Sequence, residues 1–208
     1  MRLGASILLF LFLFPCALSA QPTVLSEPPQ STEKTTSPLR AAQHTHLWRV
    51  AAWGSANVLG GLALVWGSGR TTRSARWHFG AMSAGWGAVN VGIAAAGLLG
   101  TPSTPLPNPA ARLAAERQFH DILLFNLGLN VAYSAVGGTM LGAGYRDVQN
   151  AARWRGFGTS LILQGVGLMV LDGIAFVASR TRLDALLDAH VTASVYPLPS
   201  GVALTLQL

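Results

Sequence analysis

Charged residues are scarce in this sequence and are missing from long stretches of it. They make up 11% of the 208 residues, whereas about a quarter of the residues of an ordinary soluble domain are charged. No Asp, Glu, Lys or Arg occurs in 50–69, 77–111 or 122–145, and 156–179 contains only Asp172. In water, helices that are apolar on every side need a larger partner core than a chain of this length supplies. The composition therefore favours a membrane protein over a soluble one.

Cysteine is nearly absent as well, and the one that occurs, Cys16, lies in a distinctive N-terminal segment. Residues 1–20 combine a basic Arg2, a short apolar run and small residues at the end, which is typical of a secretory signal peptide. We expect cleavage near residue 20, and the alternative is a fifth membrane helix kept as an anchor. Removal of this segment would leave a chain without disulfide or thiol chemistry.

Lysine occurs only at Lys34, so arginine supplies nearly all of the positive charge behind the net charge of +6. The arginines lie at the ends of the apolar segments and do not form a continuous patch with interleaved aromatic residues. This pattern argues against nucleic acid as a partner and is typical of helix ends near anionic lipid headgroups. The expected partner is the lipid bilayer.

Four apolar segments reach the length of about 20 residues that a bilayer-spanning helix needs. They cover 48–68, 77–100, 119–142 and 156–179. The third helix should begin before its apolar segment, because Asn108 can cap a helix and Pro109 suits the first helical position. Two β-branched runs near the C-terminus flank the turn Pro-Leu-Pro-Ser-Gly and indicate two short strands. The sequence thus predicts an all-α membrane protein, a four-transmembrane-helix bundle with a short C-terminal β-hairpin. The predicted parts are a signal peptide (1–20), a flexible extracytoplasmic tail (21–46), the transmembrane domain (47–180), and an extracytoplasmic helix end with the hairpin (181–208).

The distribution of arginine predicts the orientation of these spans. Loops 67–76 and 143–155 hold three Arg each, whereas loop 101–118 holds two. Cytoplasmic loops carry the excess of positive residues, and a cleaved signal peptide would also put the new N-terminus outside. We therefore expect a multi-pass protein of the bacterial inner (cytoplasmic) membrane with both mature termini extracytoplasmic.

Polar residues recur inside the apolar segments at helical spacing. The pattern Trp-Gly-small-X-Asn-Val occurs at 53–58 and again at 86–91, and two further Asn are also four residues apart. Residues four apart share a helix face, and an unpaired amide in hydrocarbon costs several kcal/mol, so these faces should point into the bundle. Depth counting places Asn57, Asn90 and Asn130 near the bilayer midplane and Gln164 closer to the inner surface. It places Asn126 at the depth of Asp172, which it should approach directly or through water. The predicted polar core comprises Trp53, Asn57, Trp86, Asn90, Asn126, Asn130, Gln164 and Asp172.

The opposite face of the second span is made of small residues. Ala88, Gly92, Ala96 and Gly100 follow one another at four-residue spacing. Such a ridge lets another helix backbone approach closely. We expect a neighbouring helix to pack there.

Two interpretations of the polar core stay open. The Asn, Gln and Trp side chains could lock the helices in register through interhelical hydrogen bonds. Alternatively, Asp172 could take part in handling a proton, an ion or a small ligand, since intramembrane acids often mark such paths. His120 and Asp121 form a separate candidate site at the membrane interface.

No chemistry-bearing motif accompanies the polar core. The sequence has no phosphate loop, no Ser-His-Asp order and no metalloprotease motif. Several His fall on the predicted outer side, but two lie at the edge of the tail and no Cys accompanies them, so we expect no metal and no cofactor. The protein is expected not to be an enzyme.

Several short motifs together resemble a known family. They are Trp86-x3-Asn90, Phe119-His120, NLGLNVAY (126–133), GFGTSLILQG (156–165) and Asp172. Their order is similar to that of a bacterial family of small four-helix membrane proteins of unknown function, over about residues 47–180. The resemblance implies four spans and implies that the Asn, Gln and Asp positions belong together. It implies no activity.

The sequence therefore predicts an uncharacterised polytopic inner-membrane protein with a structural or partner-binding role in the cell envelope. The alternative is a small ion, proton or small-molecule transporter, or a ligand-binding membrane protein, that uses Asp172. Besides lipid, the expected partners are a second copy of the chain or an envelope protein.

Overall fold

The computed structural model describes residues 37–68, 74–100, 106, 108–190, 192–198 and 201–207. Four long helices make up most of this part: α1 (Pro38–Gly67), α2 (Ala75–Gly100), α3 (Pro109–Ala143) and α4 (Ala151–His190). Each of them is long and apolar enough to cross a membrane. The predicted set of four apolar helices is confirmed. The predicted signal peptide lies outside the described residues.

Local signals in the sequence explain where two of the helices begin. The Asn108 side chain caps α3 by accepting a hydrogen bond from the backbone N–H of Ala111 at 2.8 Å, and Pro109 occupies the first turn. Ser37 caps α1 in the same way, followed by Pro38. A side-chain acceptor followed by Pro is a strong helix start. Residues 38–46, predicted as the end of a flexible tail, are therefore helical, and this part of the prediction was wrong.

Two short strands follow α4. They are β1 (Thr192–Leu198) and β2 (Gly201–Gln207), and they pair antiparallel with Thr192 opposite Gln207. The fold class rests on the four helices alone. That these residues form a stable β-hairpin stays a prediction.

The helices pack as two hairpins, α1 with α2 and α3 with α4, which meet mainly through α2 and α4. In the first hairpin, pairs of glycines bring the two backbones together. A Cβ on Gly87 would lie 2.5 Å from the carbonyl oxygen of Gly54, and one on Gly61 would lie 2.5 Å from that of Gly80. Only glycine fits such an approach, so these four positions fix how closely α1 and α2 pack.

The same face of α2 carries both the glycines and the polar residues. Its buried residues are Gly80, Ser83, Gly87, Asn90 and Ala94, at alternating spacings of three and four. By contrast, Gly92 is exposed and has open space where a side chain would start. The predicted backbone contact at Ala88, Gly92, Ala96 and Gly100 was wrong, because small residues occur on both sides of this helix and only one side is covered.

The buried part of the bundle is unusually polar, and its surface carries many large apolar side chains. Among the described residues, buried polar side chains outnumber buried apolar ones, whereas many large apolar side chains are exposed. In a bilayer, small and polar residues hold helices together and apolar residues face lipid. This distribution suggests a multi-pass membrane protein.

Candidate functional site

Gln164 is the centre of a hydrogen-bond cluster that joins three helices. Its Oε1 accepts from Trp53 Nε1 at 3.1 Å and from Asn90 Nδ2 at 3.4 Å, and its Nε2 donates to Asn57 Oδ1 at 2.6 Å. Asn57 Nδ2 in turn donates to the carbonyl oxygen of Trp53 at 2.8 Å. Gln164 is 1% exposed. The cluster thus ties α1 and α2 to α4.

One turn further along, Ser83 and Ser160 continue this contact, with their hydroxyl oxygens 2.8 Å apart. Sequence-based depth counting puts Gln164 closer to the inner surface than Asn57 and Asn90. The structure joins all three side chains, so that separation into layers was wrong. The count assumes that the helices begin at equal depth, whereas α1 and α4 extend well beyond the apolar segments.

Asp172 is the centre of a second cluster, which joins α1, α3 and α4. Its Oδ2 accepts from Asn130 Nδ2 at 2.6 Å, and its Oδ1 lies 3.2 Å from His46 Nε2. Asp172 is 4% exposed. The predicted partner, Asn126, is half-buried and lines the same cavity, but the carboxylate bonds Asn130, one turn away on α3. The direct hydrogen bond expected from Asn126 thus comes from Asn130 instead, and an approach of Asn126 to Asp172 through water stays a prediction.

His46 was missed by the sequence reasoning because it falls in the segment predicted as a tail. A signal was nevertheless present. The buried residues of α1 are His46, Val50, Gly54, Asn57 and Gly61, spaced by three or four residues. Extending the Asn57 face backwards along the helix reaches His46, which places an imidazole on the inward side.

A third polar cluster, also missed, joins α3 and α4. Arg182 donates to both carboxylate oxygens of Glu116, from Nε at 3.1 Å and from Nη2 at 2.9 Å. Ser179 donates to the same carboxylate at 2.6 Å, and Glu116 is 1% exposed. A paired, hydrogen-bonded buried acid of this kind fastens two helices.

The candidate interface site is not part of these clusters. His120 stacks on Phe176 with ring centroids 4.3 Å apart, and Asp121 is exposed. The His120 side chain thus packs against α4, whereas the Asp121 side chain lies on the surface of the bundle. Trp86, the remaining member of the predicted core, packs its ring against Tyr133 of α3 with centroids 5.0 Å apart.

A cavity of about 590 Å³ lies beside Asp172, between α1, α2 and α3, with α4 as its floor. Asp172, Asn90, Asn126 and Asn130 contribute polar groups to its wall. This space exists because α2 packs against α1 and α4, and α3 packs against α4, whereas α2 and α3 have at most marginal backbone contact among the described residues. The lining is otherwise largely apolar, as is usual for small-molecule sites.

The cavity has an open side between α2 and α3. Ile93 and Ile122 line it and are 60% and 48% exposed. At one end of the gap the Trp86 and Tyr133 rings close the space. Within the described ranges, no group of three or more His, Cys, Asp or Glu side chains could hold a metal ion.

The fold and the cavity define a class: an all-α bundle of four helices long enough to cross a membrane, with polar clusters inside. The chain belongs to a family of unknown function (DUF6992), which matches residues 49–173. The matched range contains the Gln164 cluster, Asn130 and Asp172, whereas His46 lies before it. Comparison with curated proteins gave no match, and comparison with solved structures gave none either.

Proposed function

We propose that this chain is a multi-pass membrane protein that binds a small molecule inside its helix bundle, in the cavity beside Asp172. The observation that carries the proposal is the position of a 4% exposed carboxylate on the wall of a 590 Å³ cavity. An acid at depth costs about 2.5–3.5 kcal/mol on insertion scales. Asn130 contacts Oδ2 of Asp172 and His46 contacts Oδ1, and the cavity that Asp172 also lines offers space for a ligand beside the carboxyl group.

The membrane assignment is supported by the exposed apolar and buried polar side chains of the bundle. Arginine in loops 67–76 and 143–155 supports the orientation that places these loops in the cytoplasm of a bacterial cell, and both mature termini outside. Reporter fusions after residues 75, 105, 150 and 185 test this. We expect cytoplasmic signals at 75 and 150 only, and a cytoplasmic signal at 105 or 185 would contradict the orientation.

Ligand binding can be tested by filling the cavity. Asn126 lines the cavity and is half-buried, so Asn126→Trp should occupy the space. A ligand that binds only the folded state raises its stability, by about 2.7 kcal/mol at a concentration one hundred times the Kd. The purified protein should be screened by thermal unfolding against ions, small metabolites and amphiphilic molecules.

The matched control is Val136→Trp, an exposed position on the same helix that is not part of the cavity lining. We expect a stabilising compound to raise the Tm of the wild type and of Val136→Trp, and to lose its effect on Asn126→Trp. Equal effects on all three proteins would show that the compound acts elsewhere. If no compound distinguishes the two variants, the cavity is not a binding site.

A structural role is the second candidate, and the Gln164 cluster supports it. That cluster satisfies four polar side chains inside a packed part of the bundle and needs no ligand. A structural or partner-binding role in the cell envelope, with no catalytic activity, is compatible with this arrangement. A pull-down with and without residues 190–208 tests whether the C-terminal residues recruit a partner.

A further inference from the structure

The charges around the large cavity indicate what kind of ligand it would hold. Among its described lining residues, Asp172 is the only carboxylate and none is Lys or Arg. Arg49 and Arg182 instead line a separate cavity of about 250 Å³, and Arg182 is engaged by Glu116. His46 borders both cavities. The described lining of the large cavity thus includes an acid and no permanent cation.

His46 is the one described group in contact with Asp172 that could neutralise it. Its Nε2 faces the carboxylate, whereas no described residue accepts a hydrogen bond from its buried Nδ1. A charged imidazole carries a hydrogen on both nitrogens, and a buried N–H without an acceptor is unfavourable. The contacts therefore suit a ring that donates to Asp172 from Nε2 alone, so the described partners of this carboxyl group supply hydrogen bonds and no permanent positive charge.

Aromatic rings contribute to the same lining. Trp86 and Tyr133 pack together at one end of the cavity, and Phe119 lies at the other. The faces of Trp and Tyr rings attract cations, and the attraction grows where water is excluded. The lining thus combines one acid, amide groups of either hydrogen-bonding sense, and cation-attracting rings.

The open side shows how a ligand would enter. Ile93 and Ile122 form an exposed apolar rim between α2 and α3, whose backbones have at most marginal contact among the described residues. In a membrane, such a rim faces the lipid chains. Along α3 the lining extends from Phe119 to Tyr133, which corresponds to about 21 Å at the helical rise. A molecule that enters here must dissolve in lipid and fit an elongated space.

We infer that the cavity binds a lipid-soluble organic cation, with its charged nitrogen beside Asp172 and its apolar body between α2 and α3. This inference rests on the proposed ligand-binding function and names the ligand class of the same cavity. A neutral amphiphile would satisfy the amides but not the carboxylate charge. An anionic amphiphile would meet Asp172 as a like charge and is excluded.

Three probes with the same chain separate these cases: octylamine, octanol and octanoate, which are cationic, neutral and anionic near neutral pH. Their binding to the full purified chain is measured by calorimetry in mixed micelles. We expect octylamine to bind at least about tenfold more tightly than octanol, and octanoate to bind most weakly of the three. Asp172→Asn should abolish the preference because it removes the carboxylate charge, and it should leave the fold intact because Asn can still accept the hydrogen bond from Asn130. Asp184→Asn, an exposed acid on the same helix, should keep it.

Each alternative outcome has its own meaning. If octanol binds as well as octylamine, and both are lost in Asn126→Trp, the cavity binds ligands but the cation preference is wrong. A preference that survives Asp172→Asn would likewise overturn the role of the carboxylate. If Asp172→Asn does not fold, Trp86→Leu replaces it, and we expect it to weaken octylamine about fivefold more than octanol. An unchanged ratio there would overturn the inference, and no binding by any probe would overturn the proposed function too.

Discussion

Replacing Gln164 by Leu tests whether the first polar cluster holds the bundle together. Gln164→Leu removes three interhelical hydrogen bonds, to Trp53, Asn57 and Asn90. Such bonds average about 0.6 kcal/mol in membranes, so their loss amounts to about 2 kcal/mol. Each stranded buried group that finds no new partner adds about 1–3 kcal/mol. We therefore expect the free energy of unfolding to fall by about 2–4 kcal/mol, measured by equilibrium unfolding in mixed micelles.

The matched control is Gln118→Leu, the same chemical change at an exposed position of α3, which should stay within about 0.5 kcal/mol of the wild type. Trp53→Phe removes the indole donor together with part of the ring that packs at Gly167. A double-mutant cycle with Gln164→Leu subtracts the packing loss of the single variant and isolates the coupling between the two side chains. We expect a coupling energy between about 0.6 and 1.7 kcal/mol. Additive losses, or a Gln164→Leu protein as stable as the control, would refute the idea that the cluster fastens the helices.

Two other predictions concern packing and the buried ion pair. Gly87→Ala puts a Cβ 2.5 Å from the Gly54 carbonyl oxygen and should lower the free energy of unfolding by about 1–3 kcal/mol. Gly92→Ala, in open space, should be neutral or stabilising by up to about 1 kcal/mol. Thermal unfolding that ranks the two variants the other way would contradict the packing of α1 on α2. Arg182→Met strands the Glu116 carboxylate and should cost about 2–4 kcal/mol, below the range for fully buried pairs because the Arg182 side chain is 22% exposed. Adding Glu116→Gln should restore most of that loss, and a double variant as unstable as the single one would show that the charge is not the cause.

The number and type of helices could be predicted because the signal is strong in this sequence. Charge-free segments of about 20 residues have few alternatives to a membrane-spanning helix. The start of α3 was equally readable, since Asn108 and Pro109 form a familiar cap. The start of α1 was missed although Ser37 and Pro38 form a similar cap, because the polar composition before residue 47 outweighed it.

The hydrogen-bond partners of the buried polar residues could not be predicted from the sequence. The inward direction of Asn57, Asn90 and Asn130 followed from the cost of exposing amides to lipid, and all three are buried. Their pairing depends on how far one helix is shifted along another, and a shift of one turn exchanges Asn126 for Asn130. Glycine contacts set that shift, and glycines occur on more than one face of these helices. The cavity has no sequence signal, because it results from the separation of the α2 and α3 backbones, which only the packing of all four helices sets.

The Gln164 cluster and the Asp172 cluster should respond differently to substitution, one in stability and the other in ligand preference. This contrast distinguishes a structural role of the polar residues from a ligand-binding role. The Gln164 cluster is satisfied within packed helices, so Gln164→Leu should lower stability yet leave the binding preference for octylamine over octanol nearly unchanged. Asp172 borders the cavity, and Asp172→Asn keeps a hydrogen bond from Asn130. It should therefore change stability by less than about 1 kcal/mol, within the range of a single hydrogen bond, while removing the preference. If both substitutions lower stability alike and neither alters binding, Asp172 only stabilises helix packing, as Gln164 does, and the cavity beside it is not a binding site.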